Sequence, residues 1–95
     1  MYGEYVAEGL GTFVFLTIIL TKKDPVMIAV ALLIGILIAT IASQGHLNPA
    51  VTGMVYANGG ISGSKAVGYI VAQVVAAVAA VQWSKWHNDS AMKIA

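Results

Sequence analysis

The sequence predicts an all-helical membrane protein, and three observations lead to this fold class. The chain has 95 residues, of which 59% are hydrophobic and only 9% are charged. So few polar residues cannot cover the outward faces of soluble helices. Three long apolar segments follow one another, each near the roughly 20 residues that cross a bilayer core. One such segment could be the buried helix of a soluble protein, but three would leave nothing to cover them.

A short polar break separates the first two apolar segments. Asp24 can cap the next helix and Pro25 fits its first turn. We therefore expect the second membrane span to begin at Pro25. The three spans are expected at residues 5–21, 25–43 and 65–83.

The end of the third span carries the signs of a membrane–water interface. Trp83 and Trp86 lie where this helix leaves the bilayer, which is typical of an aromatic belt. Residues 84–95 are polar and are expected to form a frayed tail. The sequence thus divides into one helical unit over residues 1–83 and a tail.

The region between the second and third spans, residues 44–64, is too short and too polar to be a further span, and its first part, residues 44–58, holds a loop and a short helix. Asn48 is a good N-cap and Pro49 suits the first helical position, so a helix of about nine residues, about 14 Å long, is expected there. Two arrangements remain open. The segment could be an external loop with a surface helix, or it could re-enter the membrane, with its helix starting near the midplane.

The re-entrant arrangement has chemical consequences for this loop. Irregular backbone at membrane depth is tolerated only where it is buried in protein or lines a watery cavity. Gly45 allows an unusual backbone conformation, and the loop carbonyls could then face a lumen. The Asn48 oxygen can cap the short helix, which leaves its NH₂ group free to donate into that lumen.

The composition argues against several other classes of function. The chain has no cysteine, and its second histidine, His87, lies in the tail, so His46 is not expected to bind a metal. No catalytic set of side chains is recognisable, which predicts a protein that is not an enzyme and needs no cofactor. A net charge near +1 indicates no nucleic-acid partner.

The eight residues GHLNPAVT, from Gly45 to Thr52, resemble the signature loop of the major intrinsic protein family, the aquaporins and aquaglyceroporins. AEGLGTF at 7–13 is similar to the first-helix motif of the family, and YIVAQVVAAVAA at 69–80 resembles its third helix. The resemblance covers residues 7–83. It implies an integral, multi-pass membrane channel that passes water, and small neutral solutes such as glycerol, down their gradients.

Members of that family carry two such halves in one chain, inverted relative to each other, whereas this chain has one. The resemblance therefore implies that a second copy, inserted in the opposite orientation, completes each pore. Since the family groups four pores, eight chains with D4 symmetry are expected. Two alternatives remain: a partner that inserts into or modulates a full-length channel, and a nonfunctional remnant. The intact signature and polar supports count against decay.

The resemblance also implies roles for individual residues. Glu8 is expected to accept hydrogen bonds from the signature loop, although a glutamate near a helix end could instead reach the interface. Gln73 is expected to play a similar support role or to join two helices by a hydrogen bond. Where the second half of the family typically has an arginine, this chain has Val51, and it contains no arginine elsewhere. The expected pore wall consists of Gln44, Gly45, His46, Asn48, Pro49, Ala50 and Val51, with Ile28 and Ile36 added from the second helix by spacing alone.

Overall fold

The computed structural model describes residues 2–87, and this part of the chain forms four α-helices without a strand. Helix α1 lies in the middle, packed against α2 on one side and α4 on the other, while the short α3 packs against α4. The all-helical prediction is confirmed for these residues. The helices are α1 (Gly3–Ile19), α2 (Pro25–Ala39), α3 (Pro49–Ala57) and α4 (Gly63–His87).

Helix α2 begins as predicted and ends earlier than predicted. The Asp24 side chain accepts a hydrogen bond from the Met27 amide at 3.0 Å, and Pro25 occupies the first helical position. The helix stops at Ala39 instead of continuing to residue 43. Residues 40–42 continue as turns, in which the Ala42 and Ser43 backbone amides donate to the Ala39 carbonyl oxygen at 3.2 and 2.8 Å. The Ser43 hydroxyl bonds the same oxygen at 2.8 Å. This early end frees the following residues to form the loop.

Helix α4 is longer than the predicted third span. It begins at Gly63, where the Ser62 hydroxyl accepts from the amide of Lys65 at 3.2 Å, and it continues through the first four residues of the predicted tail. Trp83 and His87, one turn apart, stack with ring centroids 3.8 Å apart and hold this last turn together. The rest of that tail, residues 88–95, lies outside the described residues.

Within residues 2–87, α4 alone is long and apolar enough by length and composition to cross a membrane. Helix α2 is strongly apolar, but its 15 residues reach only about 22 Å, against about 30 Å for a bilayer core. Both helices nevertheless expose large apolar side chains. Leu33 and Leu37 of α2 and Val75 and Val78 of α4 are all more than half exposed.

Helices α1 and α2 touch through a pair of glycines. A Cβ atom on Gly35 would lie 2.7 Å from the carbonyl oxygen of Gly11, and a Cβ on Gly11 would overlap the carbonyl oxygen of Gly35. The side chain of Leu47 fills the remaining space, with a methyl group 2.8 Å from the Cβ position of Gly35. The two glycines therefore bring the helix backbones together and also make room for one loop residue.

Candidate functional site

The irregular loop between α2 and α3 contains two residues with left-handed backbone. Gly45 has φ +70° and Leu47 has φ +59°. This conformation is uncommon for a leucine, because its Cβ crowds the following carbonyl. Leu47 is held in place by its side chain, which is 4% exposed between α1 and α2, and by its amide, which donates to Glu8. The loop therefore takes its shape from contacts with the helices around it.

Glu8 is the centre of these contacts and is fully buried. Its Oε1 accepts from the His46 amide at 3.0 Å and from the Ser43 hydroxyl at 3.2 Å, and its Oε2 accepts from the Leu47 amide. Two backbone N–H groups and a hydroxyl thus stabilise the carboxylate in the interior. The contact is the one that the family resemblance implied, and it joins the middle of α1 to the loop.

The ring of His46 lies inside the chain, at a residue exposure of 6%. Its Nδ1 is 2.8 Å from the Thr52 hydroxyl and its Nε2 is 3.0 Å from Oε1 of Gln44. The ring also packs on Tyr69, with centroids 4.8 Å apart. Both ring nitrogens thus have partners within the chain. The expectation that His46 belongs to a pore wall, through its ring or its backbone carbonyl, stays a prediction.

Gln73 joins α4 to α3. Its NH₂ group donates to the Thr52 hydroxyl oxygen at 3.0 Å, and both residues are almost fully buried. Of the two roles expected for Gln73, the hydrogen bond between helices is the one observed. Its Oε1 is buried and has no hydrogen-bond partner, which is a costly state for an amide oxygen.

Asn48 and the start of α3 lie on an open surface of the chain. The Asn48 oxygen accepts from the Ala50 amide at 2.8 Å and so caps α3, as predicted, and Pro49 is its first residue. Asn48, Pro49 and Ala50 are exposed, and Val51 is partly buried. Asn48 and Pro49 border a groove of about 330 Å³, whose other walls include residues of α1 and α4. The Asn48 NH₂ group is left free by the cap to bind a further acceptor.

The two isoleucines proposed from spacing are placed differently. A methyl group of Ile36 lies 3.5 Å from the Cβ position of Gly45, so Ile36 adjoins the loop. Ile28 is eight residues earlier in the same helix, about 12 Å away along its axis. Gln44, the first of the loop residues expected in the pore wall, is exposed. Its side-chain NH₂ group donates to the Gly60 carbonyl oxygen at 3.5 Å.

Sequence reasoning missed two residues that hold the loop. Tyr69 is fully buried. Its hydroxyl accepts from the backbone N–H of Gln44 at 3.0 Å and donates to Oε2 of Glu4 at 3.2 Å. Thr52 connects His46 to Gln73. Spacing offered a signal for Tyr69, because it precedes Gln73 by four residues and so shares a helix face with it.

Comparison with known proteins shows which family the chain belongs to. Residues 1–91 match the family model described as major intrinsic protein. The chain belongs to the major intrinsic protein family. The members of this family are membrane channels for water or small solutes, so the chain is an integral membrane protein of a transport family.

One curated member of the major intrinsic protein family shows how much of a relative this chain covers. This chain is similar to the glycerol uptake facilitator protein-like 6 of Lactiplantibacillus plantarum, with 41% identity over 86 residues. The match covers 81% of this chain and 40% of the relative. The chain thus spans about two fifths of that relative's length. No solved structure matches the chain.

Proposed function

We propose that the chain forms half of a channel that passes water, and small neutral solutes such as glycerol, down their gradients. The observation that carries this proposal is the arrangement at Asn48. An exposed amide begins a helix of nine residues, and the irregular loop before it is held by the buried carboxylate of Glu8. A fixed, neutral donor at the end of an ordered loop suits a solute with an oxygen acceptor.

In this proposal α1, α2 and α4 cross the bilayer, and residues 44–58 re-enter it. The outward faces of α2 and α4 are apolar, which suits contact with lipid. The polar side chains of Glu8, Thr52 and Gln73 are buried and directed to one another or to the loop. Irregular backbone supported in this way meets the condition for residing at membrane depth.

The second wall of the pore comes from another copy in the opposite orientation. One chain offers the exposed Asn48 and Pro49 on an open groove. An inverted copy, related by a twofold axis in the membrane plane, would bring its own Asn48 to the same depth. Four such pairs would give the eight chains with D4 symmetry that the four-pore grouping of the family implies for this chain.

The paired arrangement has an electrostatic consequence at the midplane. Two short helices would meet there with their N-termini, each carrying about half a positive charge. Cations lose hydration at this depth and are repelled, while the two Asn48 amides bind and turn each passing water. With Val51 in place of an arginine near both mouths, solute discrimination would depend on width and on this pair.

The direct test is flux through liposomes that contain this chain and no other protein. Water and glycerol permeability are measured by stopped-flow light scattering, with empty liposomes as the reference. We expect both permeabilities to rise with the amount of inserted chain. Insertion of folded chain without any rise in water permeability would contradict the proposal.

A second function follows from the same open groove: the chain could dock on a full-length member of the family and modulate it. Purification separates the two functions. A channel built from this chain gives a defined homo-oligomer without a partner, whereas a modulator is monomeric until a full-length member is added. The oligomer is measured by native mass spectrometry in a detergent that keeps tetramers of the family intact.

A further inference from the structure

Four side chains form one continuous row of hydrogen bonds from α4 to the turn before α4 begins. The row runs from Gln73 to Thr52, from Thr52 to His46, from His46 to Gln44, and ends at the carbonyl oxygen of Gly60. Three of its links are 3.0 Å or shorter and the last is 3.5 Å. This row crosses the loop two residues before Asn48.

The far end of the row determines its direction. The carbonyl oxygen of Gly60 can only accept, so Gln44 presents its NH₂ group to that oxygen and turns its own Oε1 toward His46. Oε1 can also only accept, so the proton of the neutral His46 ring lies on Nε2. The amide of Gln44 thus selects one of the two tautomers of this histidine.

The near end of the row agrees with this assignment. Gln73 donates its NH₂ group to the oxygen of Thr52, and the single proton of Thr52 is then available for Nδ1 of His46 at 2.8 Å. A proton on Nδ1 would direct two donors at the Thr52 oxygen and would leave the hydroxyl proton to find another acceptor. All donors in the row therefore point the same way.

We propose that Thr52 and Gln73 are positioning residues that hold His46 as a neutral imidazole protonated at Nε2, and that this prevents His46 from relaying protons beside Asn48. A relay would need Nδ1 to take up a proton while Nε2 releases one. Each neighbour would then have to reverse its donor and acceptor, and Gly60 would lose its donor. The consequence for transport rests on the proposed function, whereas the tautomer does not.

The tautomer can be read by ¹⁵N NMR, because His46 and His87 are the two histidines of the chain. In a His87→Gln background, protein labelled at histidine and reconstituted in bilayers gives the two ring nitrogens of His46 alone. We expect the neutral ring to carry its proton on Nε2. A neutral ring protonated at Nδ1 would overturn the assignment.

Two substitutions test the positioning role. Thr52→Val keeps the size but removes the hydroxyl, and Gln73→Met removes the amide that orients this hydroxyl. Either variant should raise the Nδ1-protonated fraction by about fivefold, the effect of losing one neutral hydrogen bond. Thr52→Ser should restore the wild-type spectrum. Thr21→Val, at an exposed threonine after α1, is the matched control and should leave the spectrum unchanged.

The functional part is tested by proton leak into liposomes that hold a pH-sensitive dye. The leak should rise in Thr52→Val and Gln73→Met and should stay at the wild-type level in Thr52→Ser and Thr21→Val. A wild-type tautomer in both folded variants would overturn the positioning role. A changed tautomer without any added leak, in a chain that conducts water, would overturn the proton-relay argument and leave the proposed channel intact. Absence of water flux would count against the channel alone.

Discussion

Leu47 and Glu8 depend on each other at the scale of single residues. The left-handed backbone of Leu47 directs its amide, together with that of His46, at one buried carboxylate. Neither the unusual backbone nor the buried charge would be stable without the other. The loop before Asn48 therefore depends on a residue near the start of the chain.

Glu8→Gln should destabilise the loop. The NH₂ group of the new glutamine side chain must face one of the two backbone N–H groups that now donate to the carboxylate. We expect a loss of about 1 to 3 kcal/mol in the free energy of unfolding, with reduced water permeability. Glu4→Gln is the control, since Glu4 is partly exposed and pairs with Lys65 at 3.3 Å. Thermal unfolding in detergent measures both variants. Equal losses would show that the position of Glu8 is not special.

Asn48→Asp tests the midplane barrier. The added negative charge should weaken the exclusion of cations and protons, because it opposes the positive ends of the two short helices. Asn58→Asp, at the other end of α3, is the matched control and should behave as the wild-type chain. Proton and cation fluxes into liposomes are compared with water flux. Unchanged exclusion in a folded, conducting Asn48→Asp pore would refute this account of the barrier.

At the scale of elements, the sequence predicted what local chemistry determines and missed what packing determines. The caps at Asp24 and Asn48, and the nine residues of α3, depend on neighbours in the chain and could be predicted. The left-handed backbone of Leu47 and the buried ring of His46 depend on Glu8 and Tyr69, which are distant in the chain. No local pattern carries that information, and only the family resemblance pointed to Glu8.

Gly35→Ala tests the contact between α1 and α2. The new Cβ atom would lie 2.7 Å from the Gly11 carbonyl and 2.8 Å from Leu47, so the helices must separate. We expect destabilisation by about 1 to 3 kcal/mol and a loss of flux through the displaced loop. Gly53→Ala is the control, because nothing lies within 4 Å of its Cβ position in the single chain and alanine favours the helix. Thermal unfolding and water flux are measured for both variants, and a stable, conducting Gly35→Ala would contradict the packing argument.

At the scale of the whole molecule, inverted pairing requires that the chain insert in both orientations. If three segments cross and the N-terminus is inside, Lys65 lies inside and four other lysines lie outside, namely Lys22, Lys23, Lys85 and Lys93. In the opposite orientation, four lysines lie inside and one lies outside. Because lysines are favoured on the inside, the count is four against one in favour of an outside N-terminus. Such a bias is modest and permits both orientations.

We therefore expect an N-terminal tag to be found on both faces of the membrane. The measurement is tag accessibility in sealed vesicles before and after permeabilisation. Replacing Lys22 and Lys23 with glutamine and adding four lysines between α3 and α4 reverses the count to five lysines against two in favour of an inside N-terminus. This variant should move most chains to the other orientation, which controls for tag artefacts. A tag found on one face only would exclude a pore made of two copies of this chain.

The position of α1 between α2 and α4 imposes an order on biosynthesis. The backbone amides of His46 and Leu47, which donate to Glu8, follow it by 38 and 39 residues. These hydrogen bonds can therefore form as soon as residue 47 has left the ribosome. Tyr69 and Gln73 are synthesised later. Until then the ring of His46 lacks its packing contact with Tyr69, and Thr52 lacks the hydrogen bond from Gln73. We therefore expect the chain to mature in two stages: α1 first captures the backbone of the loop, and α4 then closes over its side chains.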